Sequence, residues 1–187
     1  MHDDLRRFST DTLPEALRAA AWADMLAQAL LRNGPSASGQ PPLGGYVSAR
    51  SSPLDSVFVR IAGSPQVLLP CPGNARGFGQ AVLLLALLDG QGFGSGGGGN
   101  IALGPGDLLV LDPTRPWSVE LTTGFRALAV KLEASSFVLR LAGTGGCELH
   151  RVSAATGVGA MCVSVARSIA DEIDRLSRHD LLAIEAT

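Results

Sequence analysis

The sequence predicts a mainly β domain, an antiparallel sandwich or barrel, flanked by an N-terminal helix and by C-terminal helices. Three observations predict it. Between Leu43 and Lys131 short apolar runs follow one another, separated by turn residues, with no helical stretch among them. Gly and Pro are frequent, 23 and 11 of 187 residues, which suits a chain of many turns. Outside that region the apolar residues recur every three to four positions, the period of a helix face. Hydrophobic residues make up 46% and charged residues 17% of the chain, a balance that forms a packed core rather than a disordered coil.

Thr12-Leu13-Pro14-Glu15 fits a capping box, with Thr12 as N-cap and Glu15 reaching back. A helix over residues 13–32 follows, with Leu17, Ala21, Met25, Leu26 and Ala29 on one stripe and Trp22 flanking it. Asn33-Gly34-Pro35 stops it, and residues 34–42 form a polar connector. The expected strands are Gly45–Ala49, Ser56–Ala62, Val67–Leu69, Gln80–Leu88, Asn100–Leu103, Asp107–Leu111, Trp117–Leu121 and Phe125–Lys131. Together they place a β-barrel over residues 43–132. Gln80–Leu88 is apolar on both faces and predicts a central, doubly covered strand. Gly104-Pro105-Gly106-Asp107 predicts a tight Pro-Gly turn, and Arg115 sits within reach of Asp112 at the next turn. Residues 135–187 read as a C-terminal helical part. It holds a short helix at Ser135–Leu141, a longer one at Gly159–Ser177 and a third at His179–Glu185. In the longer helix Asp171 and Arg175 stand at i,i+4.

Several chemistries lack their residues. Gly92-Phe93-Gly94-Ser95-Gly96-Gly97 matches G-x-G-x-x-G, but Gly104-Pro105-Gly106 follows soon after, where a dinucleotide site needs a helix; it reads as a hairpin tip. Cys147-Glu148-Leu149-His150 is a lone C-x-x-H and does not make a metal site. There is no G-x-S-x-G elbow. The three cysteines, Cys71, Cys147 and Cys162, have no disulfide-framework spacing, so reduced thiols in a cytoplasmic protein are expected. The formal net charge is −2, which gives no global pull toward nucleic acid. The longest uninterrupted apolar run, Ala81–Leu88, is too short to span a bilayer, so no membrane contact is expected.

The segment Leu103–Trp117, LGPGDLLVLDPTRPW, resembles the stretch "pGD…l.D…rPy" in the sensor half of AraC-type transcriptional regulators. Phe8–Pro14 with Arg18 and Trp22 resembles the opening of the subgroup with an AraC-binding-like N-terminal domain. Leu43–Arg50, Val57–Ile61 and Phe125–Lys131 fall in the expected order. The resemblance implies a cupin-like double-stranded β-helix, a jelly-roll barrel, with C-terminal helices that make a homodimer. It implies a ligand-sensing and dimerisation domain spanning 1–187, with a small-molecule effector in the barrel and no cofactor. The DNA-binding half of such regulators is absent from this chain. Val165–Leu182 carries Asp171, Glu172, Asp174 and Asp180 and is not expected to touch DNA. The H-x-H metal motif of enzymatic cupins is also missing; Leu83–Leu88 occupies its strand.

The expected pocket residues are Phe58, Arg60, Leu85, Trp117 and Arg126. An arginine at the mouth would favour a carboxylate-bearing effector. The expected dimer seam is Met161, Val165, Ile169 and Ile173. The chain is read as a non-enzyme. The alternative is a small metal-independent cupin-like enzyme, an isomerase or lyase, for which the barrel region lacks histidine and carries its acids mostly at turns.

Overall fold

The computed structural model describes residues 5–28, 31–34, 44–70, 81–97, 99–112, 115–133, 149–155 and 157–185. The expected helix at Ser135–Leu141, with Cys71 and Cys147, lies outside the described residues. The strands are β1 (Arg6–Ser9), β2 (Leu31–Gly34), β3 (Gly45–Ser51), β4 (Val57–Gly63), β5 (Gln66–Pro70) and β6 (Ala81–Asp89). They continue with β7 (Gly92–Gly96), β8 (Gly99–Leu103), β9 (Asp107–Leu111), β10 (Ser118–Leu121), β11 (Phe125–Glu133) and β12 (Leu149–Ser153). The helices are α1 (Glu15–Gln28), α2 (Gly157–Glu172) and α3 (Arg178–Glu185), with a 3-10 turn at Thr10–Thr12.

One sheet has seven strands in the order β1-β3-β4-β11-β6-β9-β12, and the other five in the order β2-β5-β10-β7-β8. All pairs are antiparallel. The chain crosses repeatedly from one sheet to the other, the winding of a jelly roll. All eight expected strands are present within one or two residues of their expected ends. The central position of β6 holds: it lies between β11 and β9. Asp107 N–H bonds to Gly104 C=O at 3.1 Å, and Gly106 has φ +91. That left-handed position after a proline is the reason for the Gly.

Four strands were not expected. β2 takes the tail of the predicted N-terminal helix, because Leu31 is fully buried and pairs across to Pro70 of β5. β12 sits in the region read as helical and covers the β9 edge of the larger sheet. β7 runs through the glycine-rich stretch read as a hairpin tip. A Cβ on Gly92 would lie 2.0 Å from the Glu120 carbonyl oxygen, so β7 lies against β10 because it lacks side chains there. β1 pairs with β3 through Arg6–Ser9.

The N-terminal cap also differs from the expectation. Ser9 accepts from Asp11 N–H at the 3-10 turn, and Thr12 donates back to the Ser9 carbonyl, so Thr12 does not cap α1. In α1 the fully buried side chains are Trp22 and Leu26, while Leu17 is exposed. α2 ends at Glu172, five residues earlier than expected, where its carbonyl accepts from both Arg175 and Leu176 N–H. Arg175 pairs with Glu172 at 3.2 Å rather than with Asp171.

Two apolar clusters hold the domain together. The inner one fills the space between the sheets and takes in Trp22 and Leu26 of α1. The outer one lies between the seven-stranded sheet and α2 and α3, through Phe58, Leu88, Leu128, Val163, Ile169, Ile173 and Leu181. Each fully buried Leu or Ile contributes about 1.5–3 kcal/mol relative to exposure. The helices are therefore part of the core.

Candidate functional site

Strand parity decides what each face of the larger sheet can do. In β4, Val59 and Ile61 point inward while Phe58 and Arg60 point outward. In β11, Phe125, Ala127 and Ala129 are inner, and Leu128 and Val130 outer. In β6, Leu83, Leu85 and Leu87 are inner.

The inner space holds a cavity of about 10 Å³ lined by Leu85, Leu87, Leu103, Asp107, Leu109, Val119, Leu121 and Ala127. That is room for about one water. Its carboxylate is engaged: Asp107 Oδ2 accepts from Gly104 N–H at 2.9 Å, and Oδ1 pairs with Arg151 at 3.2 Å. Trp117 packs in the same cluster and donates its indole N–H to the Asp112 carbonyl at 3.0 Å. Across the core, Trp22 donates to Gln66 Oε1 at 2.7 Å, and the buried Gln66 Nε2 has no partner among the described residues.

The outer face is polar at one place. Ser48 and Arg50 of β3 and Arg60 of β4 are cross-strand neighbours, with Ser48 opposite Arg60 and Arg50 opposite Phe58. They converge on the end of α2 and the turn that follows it. Arg60 Nη1 donates to the Ala170 carbonyl at 2.9 Å and Nη2 to Asp174 Oδ2 at 2.6 Å and to the Tyr46 hydroxyl. The guanidinium also lies 5.0 Å from the centre of the Tyr46 ring, within cation–π range. Arg50 donates to the Ile173 carbonyl at 2.7 Å and to the Asp174 carbonyl at 3.1 Å. Asp174 Oδ1 accepts from Ser48 Oγ at 2.6 Å and from Arg7 Nε at 3.1 Å. A helix leaves its last carbonyls without intrahelical donors, and the end carries partial negative charge. Two arginines from the sheet supply both the donors and the charge.

The electrostatics follow. Burial raises the Asp174 carboxyl, but hydrogen bonds from Ser48, Arg60 and Arg7 outweigh it and hold the group at about 2. Burial lowers Arg60, and its bonds to Asp174 and Tyr46 more than restore it, leaving it above its ordinary value. At the next turn Asp180 is lowered by its bonds from the Ser177 side chain and backbone.

The expected site residues therefore separate. Leu85 and Trp117 stand in the inner cluster. Phe58 and Arg60 point to the helices, and Arg126 bonds to Asp89 at 2.9 Å and to Asp171 of α2 at 3.0 Å. These three do not line the inter-sheet space, and the barrel loses the arginine that motivated a carboxylate there. The uninterrupted inner row of Val57, Val59 and Ile61 was the signal that Arg60 faces the other way. The seam residues divide too. Met161 and Val165 are 69% and 50% exposed, with Val158 beside them at 74%. Ile169 and Ile173 are buried against the protomer's own sheet. Sequence reasoning missed Tyr46, Ser48, Arg50 and Asp174, which only the register brings together. Cys162 is a free, exposed thiol, and the described residues hold no group of three or more metal-ligating side chains. No helix among them is long and apolar enough to cross a membrane.

The AraC-binding-like domain family matches residues 22–186. Among solved structures, the AraC-like transcriptional activator CuxR superposes with a TM-score of 0.67 at 12% identity, covering 96% of this chain and 65% of that one. The chain thus spans about two thirds of that protein's length. An RmlC-like cupin from Desulfovibrio desulfuricans gives a TM-score of 0.37 at 19% identity, covering 46% and 80%. Ectoine synthase from P. lautus gives 0.37 at 12% identity, covering 61% and 80%. No curated protein sequence matches significantly.

Proposed function

The chain belongs to the AraC-binding-like domain family, and from that premise we propose that it is the ligand-sensing and dimerisation half of a transcription regulator. The observation that carries the reading is the two-sided character of α2. One side, with Val163, Ala166 and Ala170, closes the outer core. The other presents Val158, Met161 and Val165 to solvent. These three fall on one face at helical spacing. A second copy offering the same stripe covers it in an isologous contact. Met161 and Val165 belong to that seam; Ile169 and Ile173 anchor the helix to its own sheet.

In this reading the effector occupies the space beside Leu85 and Trp117. A water-sized cavity does not hold it, so the ligand-bound state is a wider conformation, selected as the ligand binds. Part of that conformational change reaches the outer face through β4, β6 and β11, which carry both clusters. A coupling of about 1–3 kcal/mol suffices to alter the seam 5- to 150-fold.

Light scattering tests the seam. The expected mass is twice 19.3 kDa, falling to the monomer in Val165→Glu with the same circular dichroism. Cys162 adjoins the stripe, so a short bismaleimide links two copies of the native chain, and Cys162→Ser abolishes that link. A monomer at every concentration overturns the dimerisation reading. A small-molecule library read by thermal unfolding tests the sensor reading, since a ligand at 100 times its Kd adds about 2.7 kcal/mol.

A further inference from the structure

We propose that the arginine cradle around Asp174 is a carboxylate-binding site, held closed in this conformation by Asp174 acting as an internal stand-in for the ligand. The site is separate from the inter-sheet space. Two guanidinium groups, of Arg7 and Arg60, meet the Asp174 carboxylate there, and a third, of Arg50, binds the backbone carbonyls of Ile173 and Asp174 beside it. Arginine recognises a carboxylate best through two parallel N–H bonds. Asp174 uses only half of that fork on Arg60. Its Oδ2 takes Nη2 at 2.6 Å, while the neighbouring Nε is buried and has no partner among the described residues. Its Oδ1 turns away to Ser48 and Arg7. A free carboxylate is not bound by the backbone of the turn, so it takes Nε and Nη2 together.

Access exists on the solvent side. The Arg7 side chain is 53% exposed and that of Asp174 28%, while Arg60 lies deeper at 15%. A ligand enters past Arg7, and Asp174 swings outward as it binds. Asp174 lies two residues beyond α2 and three before Ser177, whose N–H and hydroxyl bind Asp180 of α3. Exchange of one carboxylate for another therefore loosens the joint between the two C-terminal helices. A dicarboxylate suits the cradle, because its second charge replaces the Arg7 contact that Asp174 gives up. The inference rests on the regulator reading for its meaning, but its test does not.

Isothermal titration with succinate on the full chain decides it. The native chain is expected to bind saturably, and Asp174→Ala at least five-fold more tightly, because the internal competitor is gone. Arg60→Lys keeps the charge, loses the fork and abolishes binding. Hydrogen exchange at 173–177 is expected to rise about five-fold or more with saturating succinate, and not with sodium chloride of equal ionic strength. Equal affinity in the native chain and Asp174→Ala overturns the proposal, as does undiminished binding by Arg60→Lys or no binding by any variant. Those failures leave the regulator reading intact, since the mass of the particle tests that separately.

Discussion

The two faces of the seven-stranded sheet solve the same burial problem with different chemistry. The inner face is hydrocarbon against hydrocarbon, Val59, Ile61, Leu83, Leu85, Leu109 and Ala127 among them. The outer face packs Phe58, Leu128 and Val130 against α2 and α3 and ties Arg60 to the Ala170 carbonyl of α2 and Arg50 to the Ile173 carbonyl just beyond it. Apolar packing is non-directional; hydrogen bonds from a guanidinium fix distance and angle. The inner face is therefore expected to contribute more to stability than the outer one. The outer face decides where the C-terminal helices lie.

The sharpest test of that division is a large-to-small change inside. Trp22→Ala removes a fully buried indole that is also bonded to Gln66. The expected loss is about 3–5 kcal/mol, read from urea unfolding midpoints. Next comes Arg60→Met, which keeps much of the stem's volume and removes every fork contact. It leaves the Ala170 carbonyl without its sheet donor and Asp174 with Ser48 and Arg7. A loss of about 1–3 kcal/mol is expected, below the 3–5 typical of breaking a deeply buried pair, because Asp174 keeps solvent and two partners. Exchange should rise at 170–177 before the strands respond. If Arg60→Met costs as much as Trp22→Ala, the outer face is a stability element like the inner one.

How much of this was legible follows the same divide. The barrel strands were readable because each was a short apolar run with turn residues at both ends, and the Pro105-Gly106 turn carries its own backbone requirement. β7 was not, because glycine at every second position removes the inward side chains that mark a strand; its place is set by close approach to β10. β12 was not, because a short run among glycines and charges gains strand character only by pairing with β9. For the site, Leu85 and Trp117 belong to the inner cluster. Phe58, Arg60 and Arg126 face the helices instead, and parity in β4 marks that face. The cradle itself had no local signal. Ser48, Arg60 and Asp174 are far apart in the chain, and only the register of β3 with β4, and the length of α2, makes them neighbours.

Acid provides the next, smaller test. Asp174 titrates at about 2 when folded and near 3.8 when free. A carboxyl lowered by folding stabilises the native state fully above its free value and loses that contribution as pH falls through the folded one. The window therefore runs from about pH 4 down to about pH 2. The amount expected is about 1–2 kcal/mol once solvent screening of a part-exposed group is allowed for. Asp174→Asn should lack it. Urea unfolding of both proteins at pH 5, 4, 3 and 2 should show the gap between them close across that window. A gap independent of pH would mean that Asp174 acts through shape rather than charge.

The smallest effect belongs to Arg126, on the same face as Arg60 and with two carboxylates rather than one. Its bonds to Asp89 and Asp171 are short, 2.9 and 3.0 Å. By count of carboxylates it should matter more than Arg60. Exposure argues otherwise: its side chain is 36% exposed, and those of Asp89 and Asp171 are 59% and 48% exposed. Pairs in that setting contribute about 0.2–1 kcal/mol and weaken with salt. Arg126→Gln is therefore expected to cost about 0.5 kcal/mol at low ionic strength and nothing measurable at 1 M salt. Arg60→Met should keep most of its effect at both, because the Arg60 side chain is 15% exposed against 36% for Arg126 and also bonds to the Ala170 carbonyl. If the two variants respond to salt alike, burial is not what distinguishes them, and the outer face is one continuous charged surface rather than a cradle with an exposed neighbour.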